Sequence, residues 1–245
     1  MTESAELRAL LGRVHDEPNV VGLVLTGSVA RQGMATSRSD VDVYVVLDGP
    51  DPAWGTTRSS TIDIAVCTLD QLRQTPLPGD IGWWDRYSFT HSQVLLDKVR
   101  GEVAELVGAW GTLSGAESKV VLETYLDGYL NYAFRSLKSH RDGGVFEARL
   151  DAVESLAWML PVIFAFERRV RPYNKYLAWE LIHHPLERVD WQSSELLPRV
   201  QTILDTGDAS AQRWMFASIE SASREVGLGG IVDGWCDELA LFRHS

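Results

Sequence analysis

The stretch TGSVARQGMATSRSDVDVYVV, residues 26–46, sets Asp40 and Asp42 one residue apart at the head of an apolar run. Like charges at that spacing repel, and strands disfavour aspartate. Side chains alternate between the two faces of a strand, so a strand over Val41 to Leu47 sends Asp40 and Asp42 to one side. A third aspartate, Asp63, stands among apolar residues in STIDIAV, inside another strand-like segment, Thr61 to Cys67. Neighbouring strands would bring the three carboxylates together.

Such a cluster needs compensation. A buried carboxylate costs several kcal/mol unless it is paired or bound to a cation. Neither segment contains a lysine or arginine. A hard divalent cation solves the problem, because Mg²⁺ prefers carboxylate, water and phosphate oxygens. Three carboxylates can hold two such ions, which can clamp the attacking and leaving oxygens of a displacement at phosphorus. Gly27-Ser28 supplies the other half of the pattern. It ends the apolar run Val20 to Thr26 and is expected to open a helix. Glycine admits a phosphate close to the backbone, a helix N-terminus offers unbonded N–H groups, and Ser28 adds a hydroxyl. Arg31, Arg38 and Ser39 lie near enough in sequence to help hold a triphosphate.

Gly27, Ser28, an eleven-residue spacer, Asp40-x-Asp42 and a lone Asp63 in a third strand resemble the polymerase-β nucleotidyltransferase superfamily. The resemblance covers roughly residues 18–110. It implies an α/β core with a mixed sheet. It also implies transfer of a nucleoside monophosphate from an NTP, ATP by default, with Mg²⁺ and release of pyrophosphate. Asp40 and Asp42 would ligate metal. Asp63 would ligate a second ion, activate the acceptor hydroxyl, or both. A helical half after such a core is similar to the small-molecule branch, which includes the aminoglycoside and lincosamide nucleotidyltransferases of antibiotic resistance. By the same resemblance Lys175, in RRVRPYNKYLAWEL, faces the triphosphate, and Glu123 or Glu154 is an alternative catalytic base.

The rest of the chain bounds this reading. Its 245 residues allow one large domain or two modest ones, and 45% hydrophobic with 23% charged residues is ordinary for a globular protein. No apolar run approaches the roughly 20 residues needed to span a bilayer. The acidic, amphipathic start MTESAELRALLGRVHDE lacks the features of a signal peptide. Cys67 and Cys236, far apart among apolar residues, read as two buried thiols, so a cytoplasmic location is expected.

The net charge of −11 is shared, with −6 on residues 1–112 and −5 on residues 113–245. No basic stripe appears beyond Arg168, Arg169 and Arg171, which disfavours nucleic acid as a partner and suits a cationic small molecule. A homodimer is compatible with the sequence.

Periodicity divides the chain near residue 112. Before it, a helix over 3–16 (Leu7, Leu10, Leu11 and Val14 on one face) precedes the three strands. The turn-rich DGPDPAWGTTRSS separates the second strand from the third, and a fourth apolar segment, Val94 to Leu96, precedes a helix over 101–110. After the division every signal is helical. Ser114 with Glu117 forms a capping box for a helix ending at Gly143-Gly144. Helices follow over 146–169, bent at Pro161, and over 173–183, 194–205, 209–226 and 230–243. The expected arrangement is therefore a catalytic α/β domain over 1–112 and a helical, acceptor-binding domain over 113–245.

Trp83, Trp84 and Tyr87 are candidates to line an acceptor or base pocket. Arg135 and His140 match the R-x4-H pattern of HEPN ribonuclease domains, but they sit about 140° apart around a helix. Transfer to a protein or RNA acceptor, and a toxin–antitoxin module, are the competing readings.

Overall fold

The computed structural model describes residues 5–243. The chain divides between Thr112 and Leu113 into two compact units. The first runs α1 (Ala5–Asp16), β1 (Val20–Thr26), β2 (Val41–Leu47), β3 (Ile62–Thr68), α2 (Leu69–Leu72), α3 (Arg86–Phe89), β4 (Gln93–Asp97) and α4 (Glu102–Gly111). Residues 3 and 4 of the helix expected over 3–16 lie outside the described residues.

The four strands form one mixed sheet in the order β3-β2-β1-β4. β1 pairs antiparallel with β2 and β4, and β2 pairs parallel with β3. Alternation explains how the sheet is filled. Val41, Val43, Val45 and Leu47 of β2 turn to one face and pack with Leu7, Leu10 and Val14 of α1. Val46 of β2 and Val24 of β1 turn to the other face, against Leu72, Phe89, Val103 and Val107. Asp42 and Tyr44 share that second face with Val46.

The exposed edge of β3 is covered by its own preceding loop. Thr57 and Ile64 exchange backbone hydrogen bonds of 2.8 and 2.9 Å. Covering an edge strand in this way removes a template for unwanted pairing.

A buried arginine secures α3. Arg86 is fully buried and donates to the carbonyls of Pro76 (3.2 Å), Ala109 (3.0 Å), Trp110 (3.0 Å) and Thr112. Three of these carbonyls close the C-terminal end of α4, where the helix dipole favours a cation.

The second unit is helical: α5 (Gly115–Arg141), α6 (Val145–Phe166), α7 (Leu177–His183), α8 (Ser193–Thr206), α9 (Ala209–Glu225), α10 (Gly229–Asp233) and α11 (Ala240–Arg243). The capping box is present: the Ser114 hydroxyl accepts from Glu117 N, and the Glu117 carboxylate accepts from Ser114 N. α5 and α6 pack along their length. A Cβ at Gly128 would fall on the Trp158 ring, so only glycine lets that indole lie against α5. Tyr125 and Tyr132 flank it, at 5.6 and 6.0 Å between ring centres.

Two expectations fail in this unit. The single helix expected over 230–243 is broken into α10, a 3₁₀ turn over Cys236–Leu239, and α11. Cys236 has φ +45°, a left-handed conformation that no α-helix continues through. Cys236 is also exposed rather than buried, while Cys67 is half-buried on β3. No described helix is long and apolar enough to cross a membrane.

Candidate active site

Register brings the carboxylates together. Asp42 stands beside Thr26 on β1 and opposite Asp63 on β3. Asp40 precedes β2 on the same face. One carboxylate oxygen from each of Asp40, Asp42 and Asp63 lies within 4.8 Å of the others, and all three residues are half-buried. Asp63 is oriented by its own turn. Its Oδ1 accepts from Ser59 N at 2.9 Å, and the Ser59 hydroxyl in turn binds Ile62 N and Ile62 O at 3.0 and 2.8 Å. Among the described residues, neither Asp40 nor Asp63 has a lysine or arginine partner. Three carboxylates at this separation repel one another, and the donor set suits a hard divalent cation.

The loop after β1 corrects the expected helix. Residues 27–34 form successive turns instead. In a helix the Arg31 N–H would take the Gly27 carbonyl. Here the Arg31 side chain takes it, Nη1 to Gly27 O at 2.6 Å, while Arg31 N turns to Ser28 O at 3.3 Å. Gly33, at φ +78°, keeps the chain from resuming a helix.

Arg31 is buried, and its Nη2 donates to the carbonyls of Tyr87 (2.9 Å) and Thr90 (2.8 Å). It therefore braces the turn from inside. Its Nη1 and Nη2 are thus engaged with three backbone carbonyls.

Gly27 has a second role that the sequence did not reveal. Its φ is +67°, and a Cβ built on it would fall on the Asp42 carboxylate. The glycine thus makes room for Asp42 as well as for a ligand. Ser28 is buried, and its hydroxyl has no protein partner among the described residues. Successive backbone N–H groups follow at Ser28, Val29 and Ala30, a turn geometry that suits an anion beside the carboxylates. Arg38 is exposed. The Ser39 hydroxyl closes the Thr36–Ser39 turn, accepting from Thr36 N at 2.9 Å.

The remaining candidates are placed as follows. Trp83 and Tyr87 are buried, and Trp84 is 64% exposed. None of them lines a cavity beside the sheet; that wall is made by Tyr44, Phe89 and Trp110. Lys175, in the helical unit, is exposed with its ammonium 4.8 Å from the Tyr176 ring centre. Glu123 pairs with Lys119 at 3.7 Å, and Glu154 is exposed. Arg135 lies 3.6 Å from Asp151, and His140 Nε2 bonds the Gly207 carbonyl at 2.6 Å. Each member of that R-x4-H pair is thus engaged elsewhere in the helical unit.

Residues 7–108 match the model of the nucleotidyltransferase domain. A nucleotidyltransferase-like protein from Exiguobacterium sibiricum 255-15 is similar over 93% of this chain and 89% of that one, at 14% identity and a TM-score of 0.36, too distant to inform the site. No curated protein matches the chain significantly. The domain match, from α1 into α4, on a mixed sheet that gathers Asp40, Asp42 and Asp63, gives the first unit as a nucleotidyltransferase domain of the polymerase-β-like superfamily and the protein as a nucleotidyltransferase.

Proposed function

We propose that the protein transfers a nucleoside monophosphate, AMP from ATP by default, to a hydroxyl of a small-molecule acceptor. The observation that carries this reading is the convergence of three carboxylates beside the Gly27-Ser28 turn. Asp40, Asp42 and Asp63 would hold Mg²⁺, which when bound draws charge from the phosphate oxygens. The Ser28 hydroxyl and the turn N–H groups would hold the triphosphate, with Arg38 and Ser39 as further contacts.

Asp63 would orient the acceptor hydroxyl and take its proton. Oxygen then bonds to the α-phosphorus, the bond from that phosphorus to the bridging oxygen breaks, and pyrophosphate leaves. The helical unit is proposed to complete acceptor binding, and a cationic, antibiotic-like acceptor suits the chain's negative charge.

Asp63→Asn tests this division of labour. The variant keeps an acceptor for Ser59 N but loses charge and basicity. NTP binding by calorimetry should persist, while single-turnover transfer falls by about 10²–10⁴-fold, the usual worth of a general base. Unimpaired transfer would move the base to Glu123 or Glu154. Ser28→Ala should weaken NTP binding by about 1.5 kcal/mol, the loss of one hydrogen bond to a charged group. An unchanged affinity would place the phosphates away from this turn.

A further inference from the structure

The carboxylate face continues past Asp63. In the parallel register Tyr44 stands opposite Ala65, and Val46 opposite Cys67. Alternation puts Ala65 and Cys67 on the face of Asp63, with Ala65 roughly 7 Å further along the strand. There a cavity of about 510 Å³ opens, walled by Tyr44, Ala65, Cys67, Phe89 and Trp110. Its size falls within the roughly 300–1,000 Å³ of small-molecule sites.

The aromatic wall is fixed. Phe89 lies 4.7 Å from Tyr44 and 5.0 Å from Trp110 between ring centres, and Trp110 Nε1 donates to Leu72 O at 2.6 Å. Burial pushes the Cys67 thiol up to about 11, so at neutral pH it stays protonated, an uncharged part of the wall. Two charged groups also line the cavity, Asp85 and Arg58.

We propose that this cavity receives the ring-bearing end of the acceptor, an amino alcohol whose hydroxyl points back to Asp63. The proposal rests on the nucleotidyl-transfer reading. Strand order supports it. Gly27 and Ser28 follow β1, on one side of β2, and Asp63 lies on β3, on the other. An in-line displacement puts the leaving pyrophosphate and the attacking oxygen on opposite sides of the phosphorus. With the phosphates on the β1 side, the acceptor enters from the β3 side, where the cavity lies. The rings offer stacking to a planar body. Desolvation holds the Asp85 carboxyl above the usual carboxylate range, and a neighbouring ammonium would favour its ionised form.

The test uses the full chain and two probes, 2-amino-1-phenylethanol and its neutral analogue 1-phenylethanol, followed by saturation-transfer NMR. Ala65→Phe fills the cavity and should remove the signal of both probes while leaving Mg–ATP affinity unchanged by calorimetry. Asp85→Asn, at the rim and independent of packing, should weaken the amine by about tenfold, the loss of one charge-assisted contact, and spare the neutral analogue. Three results would each overturn the proposal: no binding of either probe to the native chain, equal binding after Ala65→Phe, or a parallel loss of Mg–ATP affinity, which would give the cavity to the nucleobase. A native chain that binds the probes but not Mg–ATP would instead overturn the transfer reading, and the acceptor assignment with it.

Discussion

Replacing Asp40 and Asp42 together by asparagine is expected to abolish Mg²⁺-dependent NTP binding and to cut transfer by at least about a thousandfold, several kcal/mol of lost transition-state stabilisation. Asparagine keeps the shape of aspartate and removes its charge. Carboxylate oxygens within 4.8 Å of one another repel, so the metal-free protein should melt no lower than the native one and can melt higher. The diagnostic result is therefore a separation: activity gone, thermal midpoint held or raised. Added Mg²⁺ should stabilise the native chain against heat and leave the double variant unmoved, because only a protein that binds the ion gains stability from it. Full activity in the double variant would refute the metal assignment.

Gly27→Val should be equally severe for a different reason. A branched residue at φ +67° is strained by about 1–2 kcal/mol. Its Cβ also collides with the Asp42 carboxylate, which must move off the cluster. Both stability and Mg–NTP affinity should fall, whereas the asparagine pair loses only the second. Gly27→Ala meets the same collision with less bulk and should lie between native and valine. Calorimetry with Mg–ATP and a thermal melt on all three proteins check the order. Native affinity in a folded Gly27→Val would show that Asp42 has another way to reach the ion.

What could be read from the sequence was local. The period-two placement of Asp40 and Asp42, the apolar runs of β1 to β3 and the Ser114–Glu117 box each follow from neighbouring residues, and each is present. What could not be read depended on distant partners. Arg31 reads in the sequence as a loop arginine near enough to help hold a triphosphate. Its two strongest constraints beyond its own turn come from Tyr87 and Thr90, 56 and 59 positions away. That side chain also replaced the helix expected after Gly27-Ser28, since it takes the carbonyl that the helix would use. The steric partnership of Gly27 and Asp42 is likewise a product of β1–β2 pairing. The break at Cys236 carries no strong local signal, because glycine, not cysteine, is the residue that usually marks a left-handed turn.

One short helix, α3, links features described separately. Its carbonyl at Tyr87, with that of Thr90 just beyond it, holds Arg31 and through it the Gly27 turn; its Phe89 walls the cavity; its Arg86 is locked to Pro76 and to the end of α4. A molecule pressing on Phe89 therefore pushes on the same rigid piece that shapes the phosphate turn. On the proposed reading the two substrates are not independent. Whatever factor one applies to the affinity of the other must be returned in equal measure, and cooperativity between nucleotide and acceptor would follow from a single pivot less than two turns long.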